Sequence, residues 1–195
     1  MPHADASYFA PGLSKAEVYE QVLDFSKALA DGQRNWPGDP ADTASPAATI
    51  TNLANTSSLL WHAYAALPTP SSSVNWAGFY IRSDKFPSPH KNATTTLLLG
   101  PFHGKPACQL IAYGRGVCGT AASEKRTVMV GDVNSFPGHI ACDGESKSEI
   151  VVPIVVGGET VAIIDIDCAE YNGFDDTDKN ALEKLAVILG ESCDW

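Results

Sequence analysis

The stretch FPGHIACDGESKSEIVVPI, residues 136–154, places a cysteine among carboxylic acids. Cys142 stands next to Asp143, and Glu145 and Glu149 follow it closely along the chain. Carboxylates raise the pKa of a thiol, whereas nucleophilic cysteines usually lie beside cations or helix N-termini. This thiol is therefore either inert, or it serves a reaction that also requires an acid close to the sulfur.

Five cysteines occur in the chain, an odd number, and the N-terminus lacks the basic start and apolar run of a secretion signal. Both features argue against a structural disulfide framework and favour a cytosolic setting. Three cysteines fall in the loop-rich middle of the chain: Cys108, Cys118 and Cys142. We interpret the other two, Cys168 and Cys193, as small buried hydrophobes.

Other kinds of site find little support in the sequence. The central cysteines lack the close pairs that are typical of zinc sites, so we expect no metal. Gly114-Arg115-Gly116 lacks the later glycine of a dinucleotide fingerprint, and no Gly-Lys-Ser/Thr run occurs. A cysteine–histidine hydrolase would require His103 or His139 beside a thiol, which the sequence does not decide.

Two further segments bear on thiol chemistry. Cys118 opens a short helix in GVCGTAA, where backbone N–H groups and the helix macrodipole favour a thiolate. In AIIDIDC, Asp165 and Asp167 alternate with isoleucines, so both acids point to one face of a strand. With Glu149 they could form a cluster whose crowding keeps one acid protonated near neutrality. The alternative for this Asp-x-Asp pair is an exposed sheet face.

The segment NWAGFY carries two aromatic residues, Trp76 and Tyr80. Their spacing places both side chains on one face of a strand. Such a pair fills a core more often than it binds a ligand, and the residues alone leave both interpretations open.

Length and composition describe a globular chain of 195 residues that is 44% hydrophobic and 18% charged. This length is sufficient to bury a core without disulfides. The net charge of −10 argues against nucleic acid or an anionic membrane as a partner. No apolar run approaches the roughly 20 residues that a membrane span requires.

Helical periodicity predicts three larger helices. A capping box at Ser14-Lys15-Ala16-Glu17 begins the first, over residues 15–30. Residues 31–46, rich in Gly, Pro and Asp, are predicted to form a surface loop. A second helix keeps one apolar face from Ile50 to Leu67 and ends at a proline. The last helix is capped by Asp175.

Between these helices the pattern predicts six strands, over residues 74–81, 94–102, 108–113, 127–132, 149–156 and 159–168. One short helix is embedded at 116–125, a long loop covers 136–148, and Gly157-Gly158 predicts a hairpin. Because strands and helices do not alternate, we expect an α+β fold: a central antiparallel sheet, helices on one face and a loop-built pocket on the other. One domain is expected over 1–195, with N-terminal helices at 14–67, the pocket-bearing sheet at 74–168 and the closing helix at 175–193.

The motifs NWAGFY, LGPFHGKPAC, YGRGVCGTAA and FPGHIACDGESKSEIVVPI, followed by AIIDIDC, resemble those of the GAF-fold free methionine-(R)-sulfoxide reductases. The resemblance runs from about residue 74 to the closing helix, and the three central cysteines agree with the family in order and spacing. Segments 31–46 and 83–96 depart from compact members and resemble surface insertions.

The resemblance implies an oxidoreductase that reduces free L-methionine (R)-sulfoxide to methionine in antioxidant repair. It implies no bound cofactor, because thioredoxin recycles the enzyme with NADPH and thioredoxin reductase. A cytoplasmic homodimer, formed through the helical face, is also implied. By this resemblance, the family's redox cysteines correspond to Cys108, Cys118 and Cys142. Its pocket acids correspond to Glu149, Asp165 and Asp167, and its aromatic wall corresponds to Trp76 and Tyr80.

This chemistry explains why a thiol would stand among acids. A sulfoxide oxygen leaves only with a proton, so a protonated carboxyl near the reacting sulfur is required. Attack yields methionine and a cysteine sulfenic acid, which a second cysteine converts to a disulfide. Thioredoxin then reduces that disulfide by exchange.

The roles of the three cysteines are less determined by the sequence. We expect Cys142 to be the nucleophile and Cys108 the first resolving partner, with Cys118 as rival nucleophile or second resolver. Two other functions are compatible with parts of the pattern: a non-catalytic GAF ligand sensor and a thiol redox switch. Nothing in the residue pattern indicates the handedness of the sulfoxide.

Overall fold

The computed structural model describes residues 8–31, 51–86, 89–139 and 144–195. Its strands are β1 (Val74–Arg82), β2 (Thr96–Gly104), β3 (Leu110–Ala112), β4 (Val128–Val130), β5 (Ser148–Val156) and β6 (Glu159–Cys168). Its α-helices are α1 (Lys15–Ala30), α2 (Thr51–Ala65), α3 (Gly116–Glu124) and α4 (Asp176–Ser192). Single 3-10 turns lie at Ser71–Ser73, Ser83–Lys85, Ala93–Thr95 and Val133–Ser135.

The six strands form one antiparallel sheet in the order β3-β2-β1-β6-β5-β4. On one face, α4 packs against β5, α2 packs against β1 and β2, and α1 lies against the other two helices. The opposite face carries the short α3. The predicted α+β class, with an antiparallel sheet and its larger helices on one side, is therefore confirmed.

Strand β6 shows how side-chain alternation separates the two faces of the sheet. Ile164 and Ile166 belong to the core beneath the larger helices, whereas Ile163 belongs to a second core on the α3 side. Because successive side chains of a strand point to opposite faces, Asp165 and Asp167 follow Ile163 onto the α3 side. Burying both faces of the central strands explains why β5 and β6 are so apolar.

The predicted element boundaries are confirmed where local signals are strong. Ser14 and Glu17 form both arms of the capping box, with backbone-to-side-chain distances of 3.3 and 2.8 Å. Asp175 caps α4 by accepting from the backbone N–H groups of Thr177 and Asp178. The turn between β5 and β6 has φ values of 60° and 80° at its two glycines, a left-handed geometry that favours glycine.

A buried polar network ties the three larger helices together. Asp178 on α4 is fully buried, and its Oδ2 lies 2.7 Å from the Nζ of Lys15 on α1. Its Oδ1 accepts a hydrogen bond of 2.8 Å from the hydroxyl of Tyr19, which also contacts the hydroxyl of Tyr64 on α2. One carboxylate therefore satisfies donors from two neighbouring helices.

Several boundaries differ from those expected. Strand β2 begins at Thr96 because residues 93–95 form a 3-10 turn, and the edge strand β3 is only three residues long. The segment 83–96 does not lie wholly on the surface, since Ser83 is fully buried and accepts from the backbone N–H of His90 at 2.7 Å. The predicted loop at 31–46 lies, apart from Asp31, outside the described residues. None of the described helices is long and apolar enough to cross a membrane.

Candidate active site

A cavity of about 690 Å³, counting its mouth open to solvent, lies on the α3 side of the sheet. Strands β1, β5 and β6 supply its floor, the start of α3 one wall, and the loops after β2 and before β5 its rim. Its lining residues are Trp76, Tyr80, Lys105, Pro106, Ala107, Cys108, Leu110, Ile111, Arg115, Gly116, Val117, Cys118, His139, Ser146, Glu149, Asp165 and Asp167.

The three predicted acids meet on the floor of this cavity because of the strand register. Glu149 on β5 is paired with Asp167 on β6, and Asp167 is paired on its other side with Trp76 of β1. Asp165 lies two residues along β6 on the same face. Glu149 and Asp165 are each only 5% exposed, so the alternative of an exposed Asp-x-Asp face is wrong for Asp165.

Cys118, in the first turn of α3, reaches the same acids from above. Its thiol donates a hydrogen bond of 3.4 Å to Oε1 of Glu149. The sulfur, a carboxylate oxygen of Glu149 and one of Asp165 all lie within 4.8 Å of one another. Gly119, the next residue, lets α3 lie close to the end of β3, because a Cβ there would lie 2.3 Å from the carbonyl oxygen of Ala112.

Burial and crowding hold protons on this cluster. Burial raises the pKa of Glu149 well above its usual range, and the negative charges of Asp165 and Asp167 add to the effect. Burial also raises the pKa of Asp165, to about 6. A neutral carboxyl beside the sulfur is thus favoured near neutral pH, as a proton donor requires.

The thiol of Cys118 differs from the expectation for a helix N-terminus. Burial raises its pKa well above the ordinary value, and the charges of Asp165 and Glu149 raise it further. Two nearby carboxylates and the loss of solvent therefore outweigh the macrodipole, whose contribution is about 0.3–1 kcal/mol at exposed positions. Cys118 rests as a neutral thiol.

One oxygen of Asp165 has no hydrogen-bond partner among the described residues. Its Oδ1 is buried, although buried carboxylate oxygens are normally paired. Since Asp165 lines the cavity, this oxygen is available to a donor group on a ligand. A cationic or hydrogen-bond-donating ligand is the chemical complement of this floor.

An aromatic stack forms one side of the cavity. The ring of Trp76 stacks on Tyr80 and on Phe102, with centroid distances of 5.8 and 5.2 Å. The indole N–H of Trp76 donates to the carbonyl of Lys105 at 3.2 Å. Trp76 and Tyr80 belong to the second core and also line the cavity, so the two interpretations of this pair are compatible.

Two loops close over the rim. Cys108 is half-buried in the loop after β2, and an ion pair of 2.5 Å joins Lys105 in that loop to Glu145 in the loop before β5. His139 and Ser146, in the second loop, both line the cavity. Cys142 lies between them in sequence and outside the described residues, so its position and its role stay predictions.

The two histidines considered for a hydrolase are separated by the fold. His103 stacks on Trp61 of α2 with a centroid distance of 5.9 Å. Nε2 of His139 lies 3.7 Å from Oε2 of Glu149, and burial lowers the pKa of this imidazole. Within the described part of the chain, His139 therefore contacts an acid of the cluster rather than a thiol.

The sequence had not singled out Arg115 and the loop residues beside Cys108 as lining residues. These residues precede Cys108 and Cys118 in the motifs LGPFHGKPAC and YGRGVCGTAA. Their position beside those cysteines was the only sequence signal that they would line the cavity. The roles of all lining residues remain predictions, although the fold places the described ones around a single cavity.

Comparisons with known proteins agree with this architecture. The family model described as GAF domain matches residues 57–191. The free methionine-R-sulfoxide reductase of Saccharomyces cerevisiae is 50% identical over 98% of this chain and 94% of that protein. A solved GAF domain structure superimposes with a TM-score of 0.85 at 49% identity, covering 100% of this chain and 98% of that one. The free methionine-R-sulfoxide reductase of Neisseria meningitidis, solved with its substrate, has a TM-score of 0.73 at 34% identity, covering 95% and 93%.

Proposed function

This chain belongs to the free methionine-R-sulfoxide reductases of the GAF domain family, and we propose that it reduces free L-methionine (R)-sulfoxide to methionine with its own thiols. The observation that carries the proposal is the cluster of Cys118, Glu149 and Asp165, whose donor atoms lie within 4.8 Å at the floor of a ligand-sized cavity. A thiol reductase of sulfoxides requires a protonated acid where its reacting sulfur meets the substrate, and this floor supplies the acid in a cavity bordered by the loops that carry Cys108 and Cys142.

The cavity suits the free amino acid. The acidic floor complements the substrate ammonium group, with the unpartnered oxygen of Asp165 as its first acceptor. Arg115 and the backbone N–H groups at the start of α3 can receive the substrate carboxylate. The methyl–sulfur end then lies against Trp76 and Tyr80. A methionine sulfoxide within a polypeptide has neither charged end, so the same site excludes it.

The reaction proceeds in two balanced steps. A thiol sulfur attacks the sulfoxide sulfur while a carboxyl of the acid pair protonates the sulfoxide oxygen. The S–O bond of the substrate and the new S–S bond then break as the hydroxyl passes to the cysteine sulfur, giving methionine and a cysteine sulfenic acid, and the thiol proton restores the carboxyl. A second thiol then attacks the sulfenic sulfur, and water leaves as the disulfide forms. Two thiols are oxidised for each sulfoxide reduced.

We assign the nucleophile to Cys142 and the first resolving role to Cys108. Cys118 is buried, at 7% exposure, against acids that oppose its ionisation. The loop that carries Cys142, by contrast, contributes His139 and Ser146 to the rim of the cavity. Half-buried Cys108 lies at the same cavity and within reach of solvent. Cys118 remains the second resolver in this scheme, and its contact with Glu149 makes it the rival nucleophile.

Recycling of the disulfide requires an external dithiol. We propose thioredoxin, supplied with electrons by NADPH and thioredoxin reductase, and therefore a reducing compartment, the cytosol. No bound cofactor takes part in this scheme. We also propose a homodimer formed through the helical face, where Val187 of α4 is 59% exposed. The molecular mass of the protein in solution tests this proposal directly.

The decisive experiment uses the reduced protein without any reductant. The R and S epimers of methionine sulfoxide, each as free amino acid and within a peptide, are added and both free thiols and methionine are counted. We expect loss of two thiols per methionine formed, with the free R epimer only. Binding without thiol loss would indicate a ligand sensor, and thiol loss with peroxide but not with the sulfoxide would indicate a redox switch.

A further inference from the structure

The floor of the cavity brings together three potential metal ligands, one thiol and two carboxylates. The Sγ of Cys118 and carboxylate oxygens of Glu149 and Asp165 are mutually within 4.8 Å, and all three residues are buried. The Sγ–Oε1 distance of 3.4 Å is close to the separation of about 3.5 Å between a sulfur and an oxygen bound to one tetrahedral ion at about 2.3 and 2.0 Å. The sequence contains no closely spaced pair of ligand residues that would predict this cluster, because its members come from three separate elements, α3, β5 and β6.

Two further observations point to a ligand here. Asp165, nineteen-twentieths buried, keeps its Oδ1 without a partner among the described residues. His139 lines the same cavity, with Nε2 3.7 Å from Oε2 of Glu149. A cysteine sulfur and two carboxylate oxygens are all donors that zinc accepts in proteins.

We propose that the reduced protein binds one thiophilic divalent cation of the Zn²⁺ class through Cys118, Glu149 and Asp165. Binding forms the metal–sulfur and metal–oxygen bonds while the thiol proton and the carboxyl proton pass to solvent; nothing is oxidised or reduced. The cation occupies the place of the substrate ammonium group. The cation should therefore compete with methionine sulfoxide and inhibit the enzyme. This inhibition rests on the proposed function, whereas metal binding does not depend on it.

The binding test uses the full-length reduced chain, with Zn²⁺ and Co²⁺ as probes and no sulfoxide. We expect one ion per chain by equilibrium dialysis, and a thiolate-to-cobalt charge-transfer band in the Co²⁺ form. Cys118→Ser should abolish the band. Asp165→Asn should weaken Zn²⁺ by more than about tenfold, because loss of even an outer partner costs 10–100-fold. Cys193→Ser, which removes a buried thiol elsewhere, should bind as the parent does.

Thermal unfolding of each variant verifies that it is folded. If Cys118→Ser does not fold, Asp165→Asn alone tests the metal site. Binding below one ion per chain, or affinity unchanged in both site variants, would overturn the proposal. In turnover assays Zn²⁺ should raise the apparent KM for the sulfoxide without changing kcat. A metal-free protein that fails to reduce the sulfoxide, yet binds Zn²⁺ through Cys118, would reject the proposed function and leave the metal site standing.

Discussion

The thiol of Cys118 hydrogen-bonds to the carboxyl of Glu149 across 3.4 Å, although 31 positions separate the two residues in the chain. Helix α3 and strand β5 bring them together in a layer where both side chains are buried. Burial makes the charged form of either group costly, so the pair is held with its protons. The fold thereby keeps a protonated acid on the floor of the cavity, where the proposed sulfoxide reduction requires a proton donor.

Replacing the carboxyl of Glu149 by an amide should slow the reduction of the sulfoxide. In Glu149→Gln the amide retains the shape but cannot deliver a proton to the departing oxygen, so we expect kcat to fall by about 10²–10⁴. Glu159→Gln, at an exposed position in the β5–β6 hairpin, is the matched control and should retain activity. An unchanged kcat in Glu149→Gln would exclude this acid as the donor.

Single-turnover assays without reductant should separate the cysteines. We expect Cys142→Ser to form no methionine, because the first step requires the nucleophile. Cys108→Ser should still release about one methionine per chain, since the sulfenic acid forms before resolution. Full single-turnover yield in Cys142→Ser, together with none in Cys118→Ser, would transfer the nucleophilic role to Cys118.

Asp165 should destabilise the folded chain at neutral pH. Its folded pKa of about 6 is above its ordinary value, so folding favours the protonated acid. The corresponding stabilisation is present below the unfolded pKa and is lost as the pH rises through about 6. Asp165→Asn should therefore raise the free energy of unfolding by about 1–3 kcal/mol near pH 8.

The measurement for Asp165→Asn is urea unfolding of the reduced protein at two pH values. The gain near pH 8 should shrink toward zero near about pH 3, below both the folded pKa and the ordinary Asp pKa of about 3.9, where Asp165 is protonated in both states. Asp24→Asn, exposed on α1, provides the comparison and should show no such change. A gain of equal size at both pH values would contradict the linkage.

The buried carboxylate of Asp178 should be essential for stability. Asp178→Ala removes the carboxylate that accepts from the hydroxyl of Tyr19 and leaves Lys15 with only its second partner, Asp175, at 3.0 Å. We expect the free energy of unfolding to fall by about 3–5 kcal/mol. Lys15→Ala removes the cation but leaves Asp178 its hydrogen bonds from Tyr19 and the backbone N–H of Asp175, so it should cost less, about 1–3 kcal/mol. Equal losses in the two variants, by urea unfolding, would show that the ion pair alone matters.

Local features of this protein followed from the sequence because local chemistry produces them. The capping box at Ser14, the cap at Asp175 and the Gly157-Gly158 turn each depend on residues within one turn of chain. The period-2 pattern of β6 likewise determined that Asp165 and Asp167 share a face. Edges were less predictable: β3 is shorter than expected because an edge strand has a neighbour on one side only.

Only the tertiary structure decided what surrounds those acids. The β5–β6 register places Glu149 opposite Asp167, and the packing of α3 on the sheet brings Cys118 into hydrogen-bond contact with Glu149. The direction of the Cys118 pKa shift reversed for the same reason, since burial and neighbouring charge are properties of the folded state. Strand period and caps act over a few residues, whereas solvent exclusion and charge proximity arise when distant segments meet.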